Sequence, residues 1–315
     1  MLAVHADWSL DARKRWQTRA KRRNTAWEIT APEPVGDIAT WMARLRAEAR
    51  GPVALGVDLP LGLPRGYIQS HAIEGDFPAF LKSLRHPPPF FSVNATRDTI
   101  APTRPFYPAR GLKGMTRAAH AAALGLDGPS GLSRLCDRAT AIRPAGAPLF
   151  WTLGANQTGK AAISAWRDWL IPALHSGLDL AIWPFAPDCA GDFAALTARH
   201  PIVVAETYPA EAMRHLGLRM AGSKRRQADR IALAPALNAA LARLAAEPAP
   251  ALQAALADGF GADPAGEDRF DSLIGVLGVL NVLAGHRPGT APPDPWLTTW
   301  EGWVLGQTHL PHRLS

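Results

Sequence analysis

LAVHAD at residues 2–7 decides the fold class of this 315-residue chain, and VALGVD (53–58) and IVVAE (202–206) repeat its pattern. In each segment, apolar residues fill nearly all consecutive positions, which is typical of a β-strand that is covered on both faces. Strands of this kind belong to mainly parallel sheets with helices on both sides. The three segments therefore predict an α/β fold.

Each of these segments ends on an acidic residue, Asp7, Asp58 or Glu206. Ligands of open α/β sheets bind beyond the carboxyl ends of the strands, so we expect the three carboxylates to converge there. Close carboxylates raise one another's pKa and stay ionised most readily around a cation. Because oxygen ligands suit Mg²⁺ or Mn²⁺, the pattern predicts a divalent metal site.

Two further acidic residues, Asp268 and Asp271, begin the apolar stretch EDRFDSLIGVLGVL (267–280). In a helix, residues three apart lie on one face. Gly275 and Gly278 continue this face, so the helix is expected to lie close to the sheet and to carry both carboxylates toward the strand ends. A simpler interpretation makes Asp268 the N-cap and Asp271 a residue that the helix dipole favours.

Composition limits the class of protein. Hydrophobic residues make up 47% of the chain and charged residues 19%, which excludes a disordered chain. We expect a single domain, residues 1–315, with a proline-rich insertion or lid at about 65–150. The first apolar run is too short for a signal peptide or a membrane span, so a cytoplasmic protein without a membrane partner is expected. Cys136 and Cys189 show no metal-binding spacing and are expected to be thiols.

The net charge of +7 is concentrated in a basic cluster after the first strand, with Trp8 and Trp16 nearby. The cluster consists of Arg13, Lys14, Arg15, Arg19, Lys21, Arg22 and Arg23. Basic groups interleaved with aromatic rings suit the phosphates and bases of a nucleic acid, which is the expected partner. Alternatively, the cluster is a hairpin with solvated charges.

Another basic segment contains Lys224. If Ser223 is the N-cap of a helix that runs to about Ala246, three cations fill its first turn, where the helix dipole disfavours them. That arrangement predicts a nearby anion, either the strand-end carboxylates or a phosphate. Alternatively, the helix begins near Gln227 and the cations lie in a loop.

GANQTGKA (154–161) nearly matches a phosphate-binding P-loop. Ala161 replaces the hydroxyl residue that would hold Mg²⁺, so the match favours chance, although Lys160 stays a candidate polar residue of a site.

Five segments together resemble domain-of-unknown-function family 429, a family described as predicted nucleases with a ribonuclease-H-like fold. They occur in the expected order across nearly the whole chain: GVDLPLGLPRG (56–66), AETYPAEAMRHLG (205–217), SKRRQADR (223–230), EDRFDSLIG (267–275) and EGWVLG (301–306). The resemblance implies a five-stranded mixed sheet in the order 3-2-1-4-5, flanked by helices, with the proline-rich insertion after strand 4. It also implies acids on strand 1, strand 4 and the last helix, here Asp7, Asp58 and Asp271, with Asp268 as a companion. Glu206 matches the family's ETYP block but not the usual ribonuclease H acid set.

From these residues we expect a metal-dependent nuclease that uses two Mg²⁺ or Mn²⁺ ions. Asp7 would bridge the ions, Asp58 and Asp271 would each hold one, and Asp268 or Glu206 would complete the site. Lys224 would neutralise charge on the phosphoryl group. Two alternatives stay open: a non-catalytic module that binds nucleic acid or protein, and a nucleotide phosphoryl-transfer enzyme.

Overall fold

A mixed β-sheet flanked by helices forms the first of two units in the computed structural model. The structure describes residues 1–84, 89–109, 116–153, 158–186 and 191–311. The first unit comprises Met1–Asp58, Asp179–Thr290 and Val304–Gln307. The second unit comprises Leu59–Leu178, Ala291–Trp303 and Thr308–Ser315.

The sheet lies entirely in the first unit. Within the described ranges it has eight strands: β1 (Leu2–Asp7), β2 (Trp16–Arg23), β3 (Ala26–Ile29), β4 (Glu33–Pro34), β5 (Val53–Val57), β6 (Leu180–Ile182), β7 (Ile202–Glu206) and β8 (Ala246–Pro248). Their order is β6-β7-β5-β1-β2-β3-β8, and β4 pairs with β2. Strands β5, β7 and β6 continue from β1 in parallel, whereas β2 and β3 form an antiparallel meander with it.

The predicted five-stranded sheet in the order 3-2-1-4-5 is not confirmed, because the sheet has more strands and a different order. Two short segments account for the difference at the edges. Strand β6 pairs with the outer edge of β7, and β8 pairs with β3. Both satisfy backbone groups that would otherwise be exposed at an edge.

The described ranges contain eleven α-helices: α1 (Trp41–Glu48), α2 (Arg65–Ser70), α3 (Phe77–Ser83), α4 (Arg117–Ala123), α5 (Thr158–Ala165), α6 (Ile171–His175), α7 (Phe193–Arg199), α8 (Pro209–His215), α9 (Gln227–Arg243), α10 (Pro250–Ala257) and α11 (Gly266–Leu283). A π-helical turn, Trp166–Leu170, joins α5 to α6. Helix α9 begins at Gln227, so the alternative in which Lys224 lies in a loop is confirmed. The N-cap of α11 is Ala265, so Asp268 lies in the first turn and is not the cap.

Helix α11 covers one face of the central strands and packs unusually close to them. A Cβ atom on Gly275 would lie 2.2 Å from the ring of His5 on β1. On β5, a Cβ atom on Gly56 would lie 2.8 Å from Val279 of α11. A buried hydrogen bond of 2.8 Å between the hydroxyls of Thr18 and Ser272 also joins β2 to α11. The glycines therefore determine how near the helix comes to the sheet.

Helix α1 contacts the opposite face of the sheet. The indole N–H of Trp41 donates to the side-chain oxygen of Gln17 on β2 at 2.8 Å. Because side chains alternate along a strand, Gln17 and Thr18 lie on opposite faces. Strand β1 is buried along all six of its residues.

The second unit contains the proline-rich segment at 65–150. Phe90, Phe106 and Phe150 are buried there and joined by ring contacts. The ring centroids of Phe90 and Phe106 lie 5.7 Å apart, and those of Phe106 and Phe150 lie 5.3 Å apart. The single-domain organisation and the role of this segment as a lid stay predictions.

Two distant segments of the family resemblance meet in the second unit. The backbone N–H of Leu63 donates to the carbonyl of Trp300 at 2.7 Å, and that of Arg65 donates to the Glu301 carboxylate at 2.9 Å. Gly62 has a φ of +142°, and a Cβ atom there would lie 2.1 Å from the carbonyl oxygen of Glu301. This contact requires glycine at residue 62.

No helix in the described ranges is both long and apolar enough to cross a membrane.

We predict that Gly275→Ala destabilises the protein by about 1–3 kcal/mol, because the new methyl group overlaps the buried ring of His5. This loss outweighs the gain of up to about 1 kcal/mol in helix propensity. Chemical denaturation of both proteins measures the difference. Gly146→Ala is the control, because its Cβ atom would meet the nearest atom at an ordinary 3.6 Å. Equal stability of Gly275→Ala and the wild type would contradict the close packing.

Candidate functional site

Asp7 and Asp58 lie side by side at the carboxyl ends of neighbouring strands. Strands β1 and β5 are parallel, with Ala6 in register with Val57, and the backbone N–H of Asp58 donates to the carbonyl of Ala6 at 3.0 Å. His5 and its partner Gly56 face α11. Two residues further along each strand, Asp7 and Asp58 face the same side.

Asp271 reaches the same place from α11. It is one helical turn before Gly275, the residue that lies against His5, and is 5% exposed. Its charge raises the pKa of both Asp7 and Asp58. Asp268, half-buried in the preceding turn, raises the pKa of Asp7 as well. The structure thus brings together the carboxylates of β1, β5 and α11.

Burial is the main cause of the raised pKa values in this group, which we call the acidic site (Asp7, Asp58, Asp268 and Asp271). Burial and then the charge of Asp271 hold the pKa of Asp7 well above its usual range. The same two causes raise the pKa of Asp58 to about 7. Burial raises the pKa of Asp268 to about 6. Strongly perturbed carboxylates of this kind are concentrated at functional sites.

These carboxylates have few hydrogen-bond donors. From the described residues, the structure records no hydrogen bond to the carboxylate of Asp7 or Asp58. The Oδ1 atom of Asp271 is buried and has no hydrogen-bond partner among the described residues. Buried carboxylate oxygens in proteins are normally hydrogen-bonded. Oδ1 of Asp271 is therefore available to a ligand.

Lys224 partly compensates the negative charge. Its ammonium group contacts Oδ2 of Asp271 and lies 3.4 Å from Oε1 of Glu267. Burial opposes the charged form of Lys224, but the carboxylates of Asp271 and Glu267 outweigh this and raise its pKa. Lys224 is therefore a cation in the site.

The buried side chain of Arg230 holds the loop that carries Lys224. Its guanidinium donates to the carbonyls of Lys224, Gly259 and Gly261, the last two at 2.7 and 2.6 Å. The sequence pattern did not reveal this role. Arg230 is the last residue of SKRRQADR (223–230), a segment of mostly charged and polar residues that predicts an exposed position.

The acidic site fits a hard divalent cation by chemistry, because every candidate ligand is a carboxylate oxygen and one of them, Oδ1 of Asp271, lacks a donor. Within these described residues, oxygen atoms from three of the four carboxylates do not all lie within 4.8 Å of one another. Tight coordination therefore requires side-chain rotation.

Glu206 has a different orientation. It is buried at the end of β7 in register with Val57, so its side chain starts from the face opposite to that of Asp58. Its charge still contributes to the raised pKa of Asp58. The catalytic role of Glu206 stays a prediction.

The basic cluster is largely neutralised by nearby acids. Arg19 pairs with Glu33 and Glu48, and Lys21 also pairs with Glu48. These side chains alternate with Trp16 and Thr18, so they lie on the face of β2 away from α11. The pairing favours a structural role for this part of the cluster. Its contact with nucleic acid stays a prediction.

Other members of the cluster are also engaged locally. Arg13 pairs with Asp11, Arg23 with Glu28, and Arg15 stacks over the ring of Trp8. Lys14 influences the acidic site electrostatically. Burial raises the pKa of Asp268, and the positive charge of Lys14 partly offsets this rise.

The near-P-loop (154–161) lies only partly within the described residues. Residues 154–157 and Cys189 lie outside the described residues, and Lys160 lies on α5 in the second unit. A nucleotide phosphoryl-transfer activity stays a prediction. Cys136 is buried.

In comparisons with known proteins, no family model, no curated protein and no solved structure matches the chain. The resemblance to domain-of-unknown-function family 429 stays a prediction.

We predict that the metal-free protein loses stability as pH rises through the range in which Asp58 ionises. In the unfolded chain Asp58 titrates near 3.8, and in the folded protein near 7. Between these values the folded state binds more protons, so raising the pH favours unfolding. Asp58→Asn removes this contribution and should gain about 1–3 kcal/mol relative to the wild type between about pH 4 and about pH 8. Denaturant titrations in a chelating buffer measure the difference. A difference that does not change with pH would contradict the raised pKa.

Proposed function

We propose that the acidic site binds Mg²⁺ or Mn²⁺ and hydrolyses phosphodiester bonds of a nucleic acid. The observation that carries this proposal is the gathering of Asp7, Asp58 and Asp271, from three distant parts of the sequence, into one group in which Asp7 and Asp271 are buried and Oδ1 of Asp271 has no hydrogen-bond partner among the described residues. Such a group is costly to keep ionised without a cation. A function that uses a divalent cation explains why the fold pays this cost.

The arrangement of the central strands supports a ribonuclease-H-like core for this proposal. Strand β1, which carries Asp7, lies between antiparallel β2 and parallel β5. The first unit would then be such a core enlarged by β6 and β8 at its edges. An eight-stranded mixed sheet does not by itself define a ribonuclease-H-like core. The proposed assignment therefore rests on the strand directions and on the positions of the acidic residues.

Each residue of the acidic site has a distinct task in the proposed reaction. Asp7, Asp58 and Asp271 would hold the cations, and Asp268, which is half-buried, would complete the site. The cations would supply positive charge that activates water and stabilises the leaving oxygen. Lys224 would stabilise the negative charge on the phosphate.

Nucleic acid is the partner class that this chemistry requires, and the net charge of +7 favours a polyanion. Arg19 and Lys21 of the basic cluster are paired with acids and lie on the other face of the sheet from the acidic site. We therefore propose that the substrate contacts the protein near Lys14 and Lys224. A cytoplasmic location is part of the same proposal.

We predict that Asp7→Asn lowers metal-dependent cleavage of single- or double-stranded oligonucleotides by about 100-fold or more, because it removes charge from the centre of the site. Asp11→Asn is the matched control, since Asp11 lies four residues away and pairs with Arg13 on the surface. Cleavage is measured with DNA and RNA substrates in Mn²⁺ and in chelator. Full activity of Asp7→Asn would refute the assignment.

One observation favours a second candidate, a nucleic-acid-binding module without catalysis. The ion pair between Lys224 and Asp271 compensates part of the acidic charge without a metal.

Mn²⁺ binding separates the two candidates. We predict that Mn²⁺ at 100 times its dissociation constant stabilises the wild type by about 2.7 kcal/mol through mass action, and that Asp7→Asn loses most of this gain. Thermal unfolding with increasing Mn²⁺ measures both proteins, with Asp11→Asn again as control. An unfolding temperature that Mn²⁺ does not change would favour the module without catalysis.

A further inference from the structure

Lys224 is held in the acidic site by a built arrangement rather than by chance contact. Its ammonium group contacts Asp271 and lies near Glu267, while the buried Arg230 binds the carbonyl oxygen of Lys224 itself. Arg230 also binds the carbonyls of Gly259 and Gly261, which ties the Lys224 loop to the segment before α11. The position of the ammonium group is thus fixed from both ends of the residue.

The two oxygens of Asp271 have different partners. Oδ2 contacts Lys224, whereas the buried Oδ1 has no hydrogen-bond partner among the described residues. A divalent cation that binds Asp271 would therefore share this carboxylate with the ammonium group or displace it. In either case two like charges compete for one carboxylate in a poorly solvated site.

Removing Lys224 would have two opposed effects on cation affinity. Loss of an orienting contact to a ligand typically weakens metal binding by about 10–100-fold. Loss of the positive charge strengthens it, because the repulsion between an ammonium group and a doubly charged ion a few Å away grows as the site is desolvated. Since the ammonium is partly buried and directly contacts the candidate ligand, the charge effect is the larger one.

We propose that Lys224 is a resident counter-ion, which occupies Asp271 when no cation is bound and sets the affinity of the acidic site for divalent cations. This inference rests on the proposed function. It assigns to Lys224 the control of cation loading, which goes beyond a contact with the substrate phosphate. With Lys224 in place, cation binding is weakened.

The test is a calorimetric titration with Mn²⁺ alone, at neutral pH, on the wild type and three variants. We expect Lys224→Gln to lower the Mn²⁺ dissociation constant about 10-fold or more. Lys224→Arg keeps the charge and should stay within about 2-fold of the wild type. The matched control is Arg225→Gln, which removes one charge from the adjacent residue. Arg225 is 75% exposed and contacts Glu267 at 3.5 Å, so this variant should change the affinity less than about 2-fold.

Two results would overturn the counter-ion role while leaving the nuclease proposal intact. The first is a dissociation constant for Lys224→Gln that equals or exceeds that of a wild type that binds Mn²⁺ and cleaves. The second is an equal gain in Lys224→Gln and Arg225→Gln, which would reduce the effect to general surface charge.

Failure of the proposed function gives a different pattern, in which neither the wild type nor Lys224→Gln binds Mn²⁺; this overturns both proposals. Circular dichroism and the unfolding temperature of each cation-free variant show whether it is folded. If Lys224→Gln does not fold, Lys224→Met carries the test, because it also removes the charge and should lower the Mn²⁺ dissociation constant in the same way.

Discussion

The close contact between α11 and the central strands is the constraint on which the acidic site depends. His5 of β1 fills the space that a side chain at residue 275 would take, and Val279 of α11 fills the corresponding space above Gly56 of β5. Since Asp271 is one turn before Gly275, this contact determines how near the helix carboxylate comes to those of Asp7 and Asp58. Burial lowers the pKa of His5 to about 3, so the ring under the helix stays neutral and adds no charge of its own.

The two faces of the sheet differ in how far their charged side chains are paired. On the α1 face, Arg19 and Lys21 meet Glu33 and Glu48, so cations and anions are matched within a few residues. On the α11 face, the cation in contact with the acidic site is Lys224, which pairs with Asp271. Paired charges at a partly exposed surface add little free energy and need no further partner. An excess of buried carboxylates is unstable by comparison, so the α11 face indicates a ligand.

Local patterns predicted much of this arrangement, and long-range pairing explains what they missed. Consecutive apolar residues identified β1, β5 and β7, and their last residues identified Asp7 and Asp58. Strand β8 could not be predicted, because Ala246–Pro248 has no strand pattern and is a strand only through the edge of β3. The orientation of Glu206 follows from its register with Val57, which depends on two segments about 150 residues apart. The loop position of Lys224 depends on the buried Arg230, whose role no local pattern shows.

Residues 291–307 contribute to both units, which affects how the protein folds during its synthesis. Ala291–Trp303 belongs to the second unit, where Trp300 and Glu301 bind Leu63 and Arg65, and Val304–Gln307 returns to the first, where Leu305 binds the backbone of Glu206. Neither unit can therefore be completed on the ribosome until the chain has been synthesised past residue 300. Until then, nascent chains expose incomplete apolar surfaces in both units, and a fragment cut at residue 290 would lack segments of each.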